Sequence, residues 1–335
     1  MADLARQSRA CGALLGLAIG DAIGTTNEFR RMSAPAFPTL ATGPVTGIVG
    51  GGPFAVTPGQ VTDDTQMACC LYSSLSSLGH FEEDEVAQRY LEWSRHAFDV
   101  GAQTESALSL IGAGTAPTAA GKAVWIESGG RAAANGSLMR TAPIGAVLGN
   151  AGAVRAASLG DSAITHFDPR CRLACATYNA AVYAGLDGLD EIQMWESAKR
   201  ELEPAADQIG GDYEGGELRQ ALAAIREDLR MAAENDPDLY GDEVNLQRHQ
   251  GFVRVAFRLA FWELLHAPTF KAAVLDAANR GGDADTNAAI VGALVGSHAG
   301  IQGIPPDWQA TVLDCKPAGN PVWSGPYHPK IFNCR

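Results

Sequence analysis

The chain has 335 residues, of which 46% are hydrophobic and 19% are charged. This composition supports an ordinary folded core and excludes wholesale disorder, while the length allows one large domain or two smaller ones. The formal net charge is −13, and no basic stripe interrupts it. An acidic surface repels a phosphate backbone, so the composition argues against nucleic acid as a partner. Excess carboxylates suit divalent cations.

Helical periodicity dominates the chain, whereas segments such as VTGIVGGGPFAV are too short and too rich in glycine to indicate strands. We therefore predict an all-α fold that forms a single compact domain over residues 1–335. In chain order the pattern predicts helices at 8–20, 64–78, 83–97, 137–148, 152–164, 170–184, 189–202, 216–234, 250–266, 269–279 and 286–299. The acidic stretch 203–245 is interpreted as a surface excursion, and 305–335 as an irregular tail.

The first helix follows Arg6 and Arg9 and superficially resembles a signal peptide, but Asp21 follows with no convincing cleavage site. No apolar run approaches the ~20 residues that span a membrane. The seven cysteines include no C-x-x-C pair, which favours reduced thiols. We expect a cytoplasmic protein that does not bind membranes.

The run GGDADTNAA, residues 281–289, has carboxylates at alternate positions, as in a calcium loop. An EF-hand loop beginning at Asp283 needs glycine at its sixth position and glutamate at its twelfth. Ala288 and Leu294 occupy those positions, so the calcium-loop interpretation fails. The run alone is also compatible with a simple helix start, in which Asp285 or Thr286 caps the helix.

A second run, VTDDTQMACCL, places Thr62, Asp63 and Asp64 directly before another apolar helix. Adjacent carboxylates in a partly buried place repel one another, and a cation between them removes that repulsion. Two such clusters facing each other would offer only hard oxygen ligands, which suit Mg²⁺ or Mn²⁺. No histidine or cysteine lies in either run, which disfavours zinc.

A third element is CGALLGLAIGDAIGTTNEFR, near the start of the chain. Asp21 is interpreted as a residue that caps or staples the end of the first helix. Glu28 lies in a short polar loop beside a glycine, so it is a candidate for a mobile base or gating carboxylate.

The motifs GLAIGDAIGTTNEF, VTDDTQMA, NGSLMR, ITHFD and GGDADTNAAIVGALVGSHAG occur in this order. In this respect the chain resembles the ADP-ribosylhydrolases (the ADP-ribosylglycohydrolase family), from about residue 11 to 304. The resemblance implies an all-α fold around a binuclear Mg²⁺ or Mn²⁺ site. The residues that match the metal ligands of the family are Thr62, Asp63, Asp64, Asp283, Asp285 and Thr286.

The resemblance also implies a substrate site. Asn135, Gly136 and Ser137 match a loop that contacts ADP-ribose, and His166 matches a histidine of the substrate site. Asp99, close to Gly101, matches the aspartate that faces the guanidinium in arginine-specific members. The alternative for Asp99 is a helix C-terminal turn closed by Gly101. The chain reads DVGAQT where members often read DIGNTT, and this departure weakens the assignment of linkage.

The resulting hypothesis is hydrolysis of the N-glycosidic bond at the distal ribose of ADP-ribose, with arginine as the expected linkage. Glu28, Asp64 and Asp283 are the expected catalytic residues. The expected substrate is an ADP-ribosylated protein, the product is ADP-ribose, and the protein is expected to be a monomer. The alternatives are another ADP-ribose linkage (serine, nucleic acid or small molecule), a non-catalytic ADP-ribose-binding or immunity protein, and a purely structural helical protein.

Overall fold

Helices form the regular structure of residues 2–31, 43–234 and 244–334, which are the residues that the computed structural model describes. Within those ranges no β-strand occurs, and only isolated bridges are present. The all-α prediction is therefore confirmed. Besides short 3₁₀ turns, the chain forms α1 (Ala2–Gly24), α2 (Asp63–Leu78), α3 (Glu83–Ser94), α4 (Ala102–Gly112), α5 (Pro117–Glu127), α6 (Ala142–Val147), α7 (Ala151–Thr165), α8 (Pro169–Leu186), α9 (Glu191–Ile209), α10 (Glu217–Ala232), α11 (Val253–His266), α12 (Phe270–Asn279), α13 (Ala284–Ala299) and α14 (Pro306–Leu313).

Several helices begin or end where side chains satisfy the free backbone groups of a terminus. The Asn150 side chain accepts a hydrogen bond from Ala153 N at the start of α7. Asp190 and Gln193 form a capping box at the start of α9. Such caps contribute about 0.5–2 kcal/mol each, which accounts for the agreement between these boundaries and the sequence pattern.

The closest helix contact joins α1 and α13, which run antiparallel. Small residues of α1 face small residues of α13, in the pairs Gly12–Gly296, Gly16–Gly292, Gly20–Ala288 and Gly24–Ala284. At each of these glycines an added Cβ would overlap a backbone carbonyl oxygen of the other helix. Because the helices are antiparallel, the end of α1 lies against the start of α13.

The helices α8 and α13 form the centre of the core, since both are buried around most of their circumference. A helix that is apolar on every side is typical of such a central position. The Tyr178 hydroxyl of α8 donates to the Ile290 carbonyl of α13 at 2.7 Å, so its one polar group is satisfied. The core therefore surrounds α13, the helix whose first turn carries the run GGDADTNAA.

The stretch predicted as a surface excursion contains α10, which packs into the core. Ala221, Ile225 and Leu229 are at most 2% exposed. Asp228 of α10 is fully buried and accepts hydrogen bonds from Arg254 and Arg258 of α11. This part of 203–245 is therefore a packed helix, and residues 235–243 lie outside the described residues.

The sequence pattern did not predict three of the helices, namely α4, α5 and α14. Each has no more than 11 residues and a weakly segregated apolar face, so periodicity alone does not reveal it. The predicted helix 137–148 begins later, at Ala142, because residues up to Arg140 form a turn. The tail from 305 is less irregular than predicted, since it contains α14 and two 3₁₀ turns.

Cysteine pairing differs from the expectation of reduced thiols. Cys11 and Cys334 form a disulfide bond that joins α1 to the end of the chain, with a Cα–Cα distance of 5.2 Å. The other cysteines are free and buried. The two bonded residues are 323 positions apart, so spacing could not reveal the pair. Among the described residues, no helix has the length and apolar character needed to cross a bilayer.

We predict that Gly16→Ala lowers the free energy of unfolding by about 1–3 kcal/mol, because the added methyl group overlaps the backbone of α13. Gly152→Ala is a matched control, since a Cβ there meets nothing closer than Asn150 Oδ1 at 3.5 Å. That control should leave stability unchanged or slightly raised. Urea denaturation followed by circular dichroism measures both variants, and equal stabilities would contradict the close packing.

Candidate active site

Three helix termini meet around one cavity, and each brings carboxylates. Asp63 and Asp64 open α2, while Asp283 and Asp285 lie at the start of α13. The chain leaves α1 through a 3₁₀ turn and reaches Glu28 immediately afterwards. Helix N-termini favour nearby negative charge, so the first turns of α2 and α13 partly offset the cost of burying these groups.

Asp21 connects α1 to the run VTDDTQMACCL at the start of α2. Its carboxylate accepts hydrogen bonds from the Thr62 backbone N–H at 3.0 Å and the Thr65 hydroxyl at 2.6 Å. It also accepts from the Thr62 hydroxyl and the Thr65 backbone N–H. The prediction that Asp21 caps α1 is wrong, because its side chain caps α2 instead. The pKa of Asp21 is raised to about 6, because the effect of burial is larger than the opposing effect of these hydrogen bonds.

Glu28 is held against the run GGDADTNAA by backbone pairing. The Phe29 N–H donates to the Gly282 carbonyl at 2.6 Å, and the Gly282 N–H donates to the Arg30 carbonyl at 2.9 Å. Gly282 has a φ of +69°, a conformation that glycine adopts without strain. Oxygen atoms of Glu28, Asp99 and Asp285 consequently lie within 4.8 Å of one another.

The carboxylates of this cluster raise the pKa values of one another. Burial, followed by the charges of Asp99 and Asp283, raises the pKa of Glu28 to about 8. The pKa values of Asp63, Asp64 and Asp285 lie well above the ordinary range, with burial as the largest cause and neighbouring carboxylates next. Glu28 Oε2 and Asp64 Oδ1 are buried without a hydrogen-bond partner.

Asp99 lies between α3 and α4 in a non-helical segment, and Gly101 directly precedes α4. The alternative of a helix C-terminal turn closed by Gly101 is therefore wrong. Burial and the charge of Asp283 raise the pKa of Asp99 to about 6.

The loop Asn135–Ser137 faces the cluster from the other side. The Asn135 side-chain amide donates to Asp283 Oδ2 at 2.8 Å. The Ser137 hydroxyl, in contrast, points into the core, where it bonds to the Ser162 hydroxyl at 2.9 Å and is fully buried. Of this loop, Asn135 and Gly136 line the cavity, whereas Ser137 supports it from behind.

His166 is buried beside Gly136, and its Nδ1 lies 2.7 Å from the Thr165 hydroxyl. Burial, with a smaller contribution from Arg140, lowers the pKa of His166 well below its ordinary value. The imidazole is therefore neutral near pH 7 and can donate or accept a hydrogen bond without carrying charge.

These groups surround a cavity of about 200 Å³. Every predicted site residue lines it except Thr62, Asp64 and Ser137. Thr62 donates to Asp64 Oδ2 at 3.0 Å, and both residues are fully buried. Sequence reasoning missed several lining residues, namely Phe29, Gln103, Thr104, Met139 and Gly251. Gln103 and Thr104 belong to the stretch DVGAQT, in which the chain departs from the common family pattern at Gln103 but not at Thr104.

A wider groove of about 870 Å³ continues from this cavity and shares Gln103, Ala134 and Gly251 with it. Its lining contains the positively charged residues Arg131, Arg170, Arg248 and Arg254. The site is thus acidic at one end and lined by arginines at the other, of which Arg170 and Arg254 are ion-paired with Asp168 and Asp228. Such polarity suits a ligand that carries hydroxyl groups at one end and phosphates further along.

Residues 2–322 match the ADP-ribosylglycohydrolase family. The chain belongs to this family. It is 31% identical to ADP-ribosylarginine hydrolase Tri1 of Pseudomonas putida, over 90% of this chain and 73% of that protein. It is 30% identical to the ADP-ribosyl-[dinitrogen reductase] glycohydrolase of Rhodospirillum rubrum, over 92% of this chain and 91% of that protein. A solved ADP-ribosylglycohydrolase-related protein complex superposes with a TM-score of 0.69 at 28% identity, covering 90% of this chain and 91% of that one.

A second buried acidic group lies below the Gly281–Gly282 turn. Arg280 bonds to Asp276 at 2.6 Å and lies 4.0 Å from Glu263. Burial, followed by the charge of Asp276, raises the pKa of Glu263 well above its ordinary 4.5, while Arg280 lowers it. One guanidinium thus serves two buried carboxyl groups.

We predict a pH-dependent effect of Glu263→Gln. Because the pKa is higher in the folded state, the stability that Glu263 contributes is complete below the unfolded pKa and is lost as the pH rises towards the folded pKa. Glutamine cannot ionise, so the stability of the variant relative to the wild-type protein should rise as the pH increases above the ordinary glutamate pKa of 4.5.

Glu227→Gln is the matched control, because its hydrogen bond to Arg230 lowers the pKa of exposed Glu227. This group is ionised in both states over this pH range, so its stability difference should be constant there. Thermal denaturation at several pH values measures both variants. A constant difference for Glu263→Gln would contradict the raised pKa.

Proposed function

We propose that this protein hydrolyses the N-glycosidic bond between the distal ribose of ADP-ribose and an arginine side chain of a modified protein. The observation that carries the proposal is the cavity where α1, α2 and α13 meet, with its carboxylates beside Asn135 and a basic groove beyond. The similarity to two relatives, an ADP-ribosylarginine hydrolase and an ADP-ribosyl-[dinitrogen reductase] glycohydrolase, supports this choice.

The donor set fits two divalent cations, Mg²⁺ or Mn²⁺. Its carboxylates are buried close together, and the buried Glu28 Oε2 and Asp64 Oδ1 have no hydrogen-bond partner. Cations would remove the repulsion that raises the pKa values of these groups. The residues that would hold them are Thr62, Asp63, Asp64, Asp283, Asp285 and Thr286. When bound, the ions supply Lewis acidity and a template for the hydroxyl groups of the ribose.

Glu28 is proposed to handle the proton of the attacking water. Its Oε2 has no protein partner, and the residue lines the cavity next to Asp285. The backbone pairing between Phe29 and Gly282 holds it at this position. A base has to lie within hydrogen-bond reach of the proton that it accepts, and this placement satisfies that condition for a water in the cavity.

Asp99 is proposed to hold the leaving group. It is partly exposed, lines the same cavity and lies within 4.8 Å of Glu28 and Asp285 through its carboxylate oxygens. A planar guanidinium pairs with a carboxylate through two parallel hydrogen bonds, which neither a serine nor a simple ester can do. This geometry favours arginine over serine linkage.

The ADP part of the substrate is proposed to run over Gly136 and towards the groove. Arg131 is exposed at its edge, and arginine binds phosphate oxygens through a planar fork of donors. His166 and Asn135 would offer neutral hydrogen bonds near the ribose. Free ADP-ribose would be the product.

We also propose that the protein acts as a monomer in the cytoplasm. The five buried free cysteines suit that compartment, although the disulfide bond does not.

We predict that Asp64→Asn and Asp283→Asn each reduce release of ADP-ribose by more than about 100-fold, since losing an outer partner of a metal ligand already costs about 10–100-fold. Both variants should keep the helical circular dichroism spectrum. Asp84→Asn, in the exposed first turn of α3, is the matched control and should keep full activity. Full activity in the presence of EDTA would contradict the metal site, and tight ADP-ribose binding without turnover would favour a binding protein.

We predict that Asp99→Asn reduces release from ADP-ribosyl-arginine by about 10–100-fold, because a hydrogen bond to a charged group contributes about 1.5–3 kcal/mol. Free ADP-ribose has no guanidinium, so its affinity should not change. Parallel rates on arginine- and serine-linked substrates provide the measurement. An equal loss on both substrates would show that Asp99 belongs to the cation-binding set instead.

A further inference from the structure

Gln103 lies in the first turn of α4 and lines the cavity. Among the described residues, its side-chain amide makes hydrogen bonds to three backbone groups and to no other side chain. It donates to the carbonyls of Ala132 at 3.3 Å and Thr165 at 3.2 Å, and its oxygen accepts from the Ala134 N–H at 3.2 Å. Both N–H donors and the acceptor of the amide are therefore used.

The partners of Gln103 alternate along a short segment, residues 132–135. Ala132 and Ala134 turn their backbone groups towards Gln103, whereas the Ala133 carbonyl accepts from Val253 N–H at 3.1 Å. The Asn135 N–H likewise donates away from Gln103, to the Gly251 carbonyl at 2.8 Å. Successive backbone groups of an extended chain point to opposite sides. On one side of this segment, the amide of Gln103 thus makes the hydrogen bonds that a neighbouring β-strand would make in a sheet.

This arrangement determines where two predicted substrate residues lie. Asn135 is the last residue of this segment and reaches Asp283 through its side chain. Thr165, the third partner of Gln103, directly precedes His166, which lies against Gly136. One side chain therefore connects two segments that both contribute lining residues to the cavity. The surrounding residues 129–134 contain no helix that could hold them otherwise.

We propose that Gln103 is a positioning residue for ADP-ribose: its amide holds the 132–135 segment in register with His166 and so shapes the pocket that binds the ligand. This inference rests on the proposed function. It predicts an effect on ligand affinity, because the amide acts on the walls of the pocket and makes no hydrogen bond to the carboxylates that would carry the reaction.

The test compares Gln103→Leu with Gln309→Leu. Gln309 is the matched control, because it is also partly buried and its amide donates to two backbone carbonyls, of Ile301 and Ile304, both at 2.9 Å. It lies in α14, outside the lining of the cavity. Leucine keeps much of the volume of glutamine and removes its hydrogen bonds. Calorimetry with ADP-ribose in the presence of Mg²⁺ gives the Kd, and melting gives the Tm.

We expect Gln103→Leu to raise the Kd for ADP-ribose and the KM for the modified protein by about tenfold or more, the equivalent of one or two hydrogen bonds. Its kcat should change by less than about threefold, since the reacting groups are untouched. Gln309→Leu should lower the Tm by a similar amount and leave Kd and KM unchanged. Gln103→Glu keeps the acceptor and loses both donors, so it should also weaken binding, and it replaces Gln103→Leu if that variant does not fold.

Two results would overturn the inference. One is a Kd for the Gln103 variants equal to that of Gln309→Leu, which would make the amide an ordinary structural group. The other is a loss confined to kcat. Failure of the proposed function would give a different result, because the wild-type enzyme would then neither bind ADP-ribose nor release it from ADP-ribosylated arginine.

Discussion

The contact between α1 and α13 is the constraint on which the site depends. Glycines on both helices let their backbones touch, and any larger side chain on this face would separate them. The antiparallel arrangement places Asp21 and Glu28, at the end of α1, beside Asp283 and Asp285, at the start of α13. Asp21 then binds the first turn of α2 and adds the second carboxylate run. The packing of α1 against α13 therefore brings together carboxylates from three separate parts of the chain.

Burying so many carboxylates in one place opposes folding, and the structure offsets this only in part. Helix N-termini and hydroxyl groups stabilise the charges, as in the contacts of Asp21 with Thr62 and Thr65. The pKa of Glu28 nevertheless rises to about 8, and Asp64 Oδ1 has no partner. Natural proteins tolerate such local conflicts mainly at functional sites, where a ligand resolves them. The acidic cavity and the basic groove beside it together match a ligand with hydroxyl groups and phosphates.

Sequence reasoning predicted residues that line the cavity where the pattern is local. The runs TDD and GGDADT each place a hydroxyl and two carboxylates at a helix start, and that pattern can be read from a few neighbouring residues. It failed where a role depends on a distant partner. Asp21 caps a helix 41 residues away, Ser137 turns into the core, and Cys11 bonds to Cys334 across the whole chain. Gln103 has no signal of its own, because its partners are backbone groups of residues 132, 134 and 165.

The fold class and most helices follow from the sequence alone, because apolar periodicity and capping residues act over only a few positions. The short helices α4, α5 and α14 form without a strong pattern, since packing against neighbours stabilises helices that are marginal in isolation. The sequence by itself indicated which residues are candidates for the chemistry, from the two carboxylate runs to Glu28 and Asp99. Only the tertiary structure decided which of them share one cavity, because that depends on how closely α1 and α13 approach and on which groups each buried side chain meets.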